Sequence, residues 1–191
     1  MLGVRGHGPA VFLLVAVACG SGASTGKGGD AGVDGGACPG APDLVTAAPA
    51  CNTLMNSAAA VPFTAGTGAP PTPAGGVITD GIYHATRVEG FGGAPAAGRR
   101  ITLAVLDGGT RILWAGDVLD AMATTTVLTF RADTHVAAAG AQIAFTVDCS
   151  SSTPSPIPPS LGYTASGDQL VLQLTSNGAT SVTTYARAGC P

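Results

Sequence analysis

Between residues 100 and 116 the chain has little choice of conformation. Ile101, Leu103 and Val105 alternate with Thr102, Ala104 and Leu106; Asp107-Gly108-Gly109-Thr110 intervenes; then Arg111-Ile112-Leu113-Trp114-Ala115 follows. Two β-rich runs around a Gly-Gly pair predict a hairpin, because glycine supplies the positive φ angles of a tight turn at low steric cost. Both runs are apolar on more than one face, so they need a sheet around them.

The rest of the chain from residue 77 supplies that sheet. Residues 82–89 alternate with period two, with Tyr83, Ala85 and Arg87 on one face and Ile82, His84, Thr86 and Val88 on the other. A Gly/Ala/Pro loop over residues 90–98 precedes Arg99-Arg100, a solvated edge to the hairpin. Beyond it, residues 117–122 are expected to form one helical turn in a solvated connection, with Asp117 and Asp120 on one face. Strands follow at 124–132, with Leu128 and Phe130 on the face of Thr126, and at 135–138. Another covers 142–149, where Ile143, Phe145 and Val147 share a face. Four prolines make residues 150–160 a loop. The end is a meander over 161–165, 169–175 and 179–188, turning at Ser166-Gly167-Asp168 and at Ser176-Asn177-Gly178. Asn-Gly between β-rich runs is a strong hairpin signal. About eight strands with short sequential connections predict an all-β domain over residues 77–191, an antiparallel up-and-down barrel that leaves no exposed edge; a β-sandwich is the alternative.

The segment before the barrel reads differently. Residues 38–76 carry Pro39, Pro42, Pro49, Pro62, Pro70, Pro71 and Pro73, which exclude a long helix. A short helical turn at 52–60, capped by Asn52, is compatible with them. Residues 20–37 are rich in Gly, Ser, Thr and Asp with almost nothing apolar, which predicts a flexible tether. At the start, Arg5 precedes an apolar run over residues 10–18 that is too short to cross a bilayer and right for a signal core.

That run ends in Ala16-Val17-Ala18-Cys19, which resembles the lipobox of bacterial lipoproteins. The resemblance implies a signal peptide over 1–18, lipidation of Cys19 and a membrane anchor there. Gly20 in place of the Asp that retains such proteins at the inner membrane implies the outer membrane. Plain secretion after Ala-x-Ala is the alternative. With Cys19 lipidated, Cys38, Cys51, Cys149 and Cys190 remain. An even number in an exported domain predicts two disulfides, and of the three pairings Cys38–Cys51 with Cys149–Cys190 is the one expected. The first would staple the lead-in segment to itself.

Gly81-Ile82-Tyr83 at the start of the first long strand and Tyr185-Ala186-Arg187 in the last are similar to the end strands of lipocalin-like barrels. In those barrels a Gly-x-aromatic strand meets a basic residue of the final strand across the barrel floor. Residues 162–172 resemble the penultimate hairpin of small bacterial lipocalin-like domains. The resemblance implies a lipocalin-like barrel that binds a small apolar ligand, with Arg187 at its floor.

Chemistry is harder to find. With 8 Lys+Arg and a net charge of −3, no nucleic-acid footprint is visible. No Cys-x-x-Cys pair suggests a metal site, and no Gly-x-Ser-x-Gly elbow suggests a nucleophile. His84 and His135 are lone strand histidines without an evident partner. No catalytic residue, metal or cofactor is expected, and the chain is not read as an enzyme. The candidates for a pocket, or for a filled core, are Tyr83, Leu103, Trp114, Phe130, Phe145 and Leu172. Aromatic residues make up only 5% of the chain, so an incompletely filled interior is plausible for a barrel of this size. The alternative is a structural or interaction protein of the envelope with a filled core and protein partners that the sequence does not name.

Overall fold

The structure, a computed structural model, describes residues 51–189. Cys19, the lipobox, the tether, Cys38 and Cys190 lie outside the described residues. The strands are β1 (Phe63–Ala65), β2 (Gly81–Phe91), β3 (Gly98–Leu106), β4 (Arg111–Leu119), β5 (Thr126–Ala139), β6 (Gln142–Ser150), β7 (Ser160–Ser166), β8 (Gln169–Ser176) and β9 (Ala179–Gly189). β2 to β9 pair antiparallel in sequence order, and β2 also pairs with β9, which closes an eight-stranded up-and-down barrel. The sandwich is therefore set aside. β1 stands outside the ring. It runs parallel to Val88–Gly90 of β2, beyond the stretch Gly81–His84 that pairs with β3.

The hairpin of residues 100–116 becomes β3 and β4, paired through nine residues. Its turn has φ of 57° at Asp107, 68° at Gly108 and 83° at Gly109. Asp80 holds it from the neighbouring loop by accepting from both glycine N–H groups, at 3.1 and 2.9 Å. The apolarity of both faces has two separate causes. Ile101, Leu103, Val105, Ile112 and Trp114 enter the barrel core, while Ala104, Leu106, Leu113 and Ala115 face outward under Leu54. The lead-in segment covers that outer face.

Residues 52–60 do this without regular secondary structure, not as a helical turn. Asn52 is buried and is not a helix cap. Its amide donates to the carbonyls of Trp114 and Ala132, at 3.2 and 2.8 Å, and its Oδ1 accepts from the Leu54 N–H. Arg131 donates to the Leu54 carbonyl. Thr102 Oγ1 accepts from the backbone N–H groups of Ser57 and Ala58. The segment then bridges Arg99 through Val61 and Thr164 through Gly75.

The disulfide pairing differs from the expected one. Cys51 is bonded to Cys149 on β6, so neither Cys38–Cys51 nor Cys149–Cys190 forms. The lead-in is tied to the barrel wall and not to itself. Sequence spacing favoured the short loop, but the path of the lead-in across β3, β4 and β5 brings Cys51 to β6.

Three further expectations are corrected. β4 continues through Asp117 to Leu119, so no helical turn stands there. Asp117 instead points outward, accepting from Thr129 Oγ1 at 2.7 Å and pairing with Arg100 at 3.5 Å. Residues 135–138 are no separate strand but the continuation of β5, a 14-residue strand with a register shift between Asp133 and Thr134. In β2 the pairing with β9 shifts between Ala85 and Arg87. This bulge puts two successive residues outward and reverses the alternation beyond it. Val88 is therefore fully buried and Arg87 exposed, opposite to the simple period-two reading.

Candidate functional site

The barrel has two unlike ends. Tight turns join β3 to β4, β5 to β6 and β7 to β8 at one end; the longer connections β2–β3, β4–β5 and β6–β7 lie at the other. The tight-turn end is packed solid. Tyr83, Leu103, Val105, Ile112, Ile143 and Leu170 are each no more than 1% exposed. Here Gly81, Tyr83 and Arg187 meet. Tyr83 pairs with Arg187 in register, and a Cβ on Gly81 would lie 2.5 Å from Arg187 Nε, so only glycine leaves the guanidinium its place. Arg187 also pairs with Asp168 at 3.5 Å.

The other end is hollow. A cavity of about 310 Å³ is lined by Ile101, Trp114, Val118, Phe130, Leu161 and Leu172 from the strands and by Pro156, Ile157 and Pro158 from the β6–β7 loop. The missing side chain of Gly116 lets the Phe130 ring pack against β4, where a Cβ would stand 2.6 Å from it. In addition, β6 and β7 pair over only three residues, Gln142–Ala144 with Ser160–Gly162. Past that seam the Ser/Pro loop serves as wall, and Ile157 is 8% exposed. Leu174, 41% exposed, also lines the cavity.

The six expected pocket or core residues all belong to one buried cluster. They divide between its two halves. Trp114, Phe130 and Leu172 line the cavity, whereas Tyr83, Leu103 and Phe145 fill the barrel beneath and beside it. Trp114 joins the halves. Its ring meets Phe145 edge-on at 5.7 Å, and its Nε1 donates to Thr134 Oγ1 at 3.0 Å. Arg187 belongs to the floor, away from the cavity.

Sequence reasoning missed the polar part of the site. Arg99 is no solvated edge: it faces inward and lines the cavity with Ser181, Thr183 and Tyr185, while its neighbour Arg100 faces outward to Asp117. Strand alternation from Ile101 carried that signal. Burial pushes the Tyr185 hydroxyl well above the usual phenol range, against the opposing influence of Arg99 and a Thr183 hydrogen bond. Tyr185 is therefore a neutral hydroxyl. Burial also pulls Arg99 downward, with Tyr185 opposing, though a guanidinium stays charged in proteins.

Both histidines do have partners. His84 Nε2 lies 3.1 Å from Ser57 Oγ, and His135 Nδ1 lies 2.5 Å from Asp148 Oδ2. Both pairs stand on the outside of the barrel, away from the cavity. Among the described residues no group of three or more His, Cys, Asp or Glu side chains is placed to hold a metal ion.

Fold and cavity together define a closed up-and-down β-barrel, solid at one end and hollow at the other. No protein-family model, curated protein or solved structure matches the chain.

Proposed function

We propose that this chain is an envelope lipoprotein, anchored to the outer membrane through Cys19, whose barrel holds a small apolar ligand. The cavity of about 310 Å³ under an apolar lining is the observation that supports the ligand. It is about twice the size of an apolar protein cavity of about 150 Å³ that takes up benzene. Its walls come from strands of a closed sheet, which makes it a preformed site of the kind small molecules occupy. The support for the anchor is Ala16-Val17-Ala18-Cys19 after a short apolar run.

A second reading has its own observation. The tight-turn half is fully packed by Tyr83, Leu103, Ile112 and Ile143, as in a structural protein that acts through its loops. Thermal melting of the whole chain with fatty acids, long-chain alcohols and hydrophobic dyes separates the two. A ligand at about one hundred times its Kd stabilises by about 2.7 kcal/mol, which raises Tm by about 5 to 10 °C for a domain of this size. Thr183→Trp, which fills the cavity, is expected to abolish the rise. A Tm unmoved by the whole panel would contradict the ligand reading and favour the structural one.

A further inference from the structure

The cavity carries one feature that an apolar ligand alone does not explain. Arg99 is the only charged side chain among its described lining residues, and it forms no ion pair with any described carboxylate. The chain's other cations include several with acidic partners: Arg87 with Glu89, Arg100 with Asp117, Arg111 with Asp133 and Arg187 with Asp168. A cation withdrawn from water without a counter-charge costs stability.

Arg99 also has suitable neighbours. Ser181, Thr183 and Tyr185 line the same cavity from successive inward positions of β9. Leu172 stands opposite Thr183 on β8, and Ile101, Trp114 and Phe130 supply further apolar lining. The site thus sets a guanidinium and hydroxyls beside aromatic and aliphatic side chains in one cavity. A guanidinium matches a carboxylate through paired N–H donors.

We propose that the cavity takes a monoanionic amphiphile, a medium-chain carboxylate, with its head on Arg99 and its tail against Trp114, Phe130 and Leu172. This rests on the cavity being a ligand site, as proposed above. A single described cation favours one negative charge: a phosphate dianion would bring a second charge into an apolar space with no partner for it.

Trp114 is the only tryptophan of the chain and reports occupancy by its fluorescence. The whole chain, the Arg99→Gln variant and the Arg99→Lys variant are titrated with decanoate, decanol and decyl phosphate. The expected result is decanoate binding at least tenfold tighter than decanol. Arg99→Gln is expected to erase that preference without weakening decanol, and Arg99→Lys to keep most of it. Free of ligand, Arg99→Gln is expected to melt no lower than the wild type. Equal binding of decanoate and decanol, unaffected by Arg99→Gln, would overturn the head-group assignment and leave the cavity reading standing. Tighter binding of decyl phosphate would overturn the monoanion. A sharp drop in the melting temperature of ligand-free Arg99→Gln would make Arg99 a structural residue. No response to any of the three would remove the cavity reading as well.

Discussion

Asn52 shows how much of this fold depends on single polar side chains. It is 1% exposed, and its amide fastens the lead-in segment to β4 and β5 at once. Truncation leaves the Leu54 N–H without its Oδ1 acceptor and removes a donor from two carbonyls. A buried polar group left without its partner costs about 1 to 3 kcal/mol. Asn52→Ala is therefore expected to lower the unfolding free energy by about 2 to 3 kcal/mol in urea titrations, with an unchanged m-value. A loss under about 0.5 kcal/mol would mean that the lead-in is not fixed there. Arg99 is the converse residue: it is half-buried and pairs with no described carboxylate. Its role was hidden in the sequence because the pair Arg99-Arg100 reads as ordinary surface charge. Only the strand alternation, continued back from Ile101, sends the two to opposite sides of the sheet.

At the scale of elements, legibility followed the strength of the local pattern. The β3–β4 hairpin and the β8–β9 hairpin were plain, since Gly108-Gly109 and Asn177-Gly178 adopt the positive φ angles that their residue types favour. The irregular elements were not. The bulge in β2 inserts an extra residue with no marker in Ala85-Thr86-Arg87, so the faces of Arg87 and Val88 came out reversed. The extension of β4 over Asp117 was concealed because a buried strand carboxylate looks like a turn residue until Thr129, Asn56 and Arg100 are seen around it. The β6–β7 loop was legible as a loop from its prolines, but not as a cavity wall. Ile157 becomes a lining residue only because β6 and β7 part after three pairs, and no local signal records where two strands separate. Trp114, Phe130 and Leu172 were recognised for the simplest reason, that large apolar residues in alternating positions face inward.

For the whole molecule, closure of the barrel was legible from about eight sequential strands, whereas the disulfide was not. Cys51 and Cys149 are separated by 98 positions, and their meeting depends on how the lead-in crosses the sheet. A cross-link over so long a loop is expected to stabilise by about 4 to 5 kcal/mol. The double variant Cys51→Ala/Cys149→Ala is expected to lose that amount in urea titrations, and a non-reducing peptide map should recover the two cysteines in one linked fragment. Recovery of Cys51 linked to Cys38 would contradict the pairing. With Cys51 and Cys149 joined, and Cys19 lipidated as proposed, the one two-bridge pattern that remains joins Cys38 to Cys190, both outside the described residues.

The hollow end is the part of this barrel that points to a use, and the most direct test is to ask what it contains. Native mass spectrometry of the whole mature chain, purified from the cells that make it, is expected to show an added mass of a few hundred daltons. That mass should leave on denaturation, as a covalent anchor at Cys19 would not, and it should ionise as a carboxylic acid. A chain that carries nothing beyond its own covalent mass, before and after denaturation, would contradict a ligand-holding barrel.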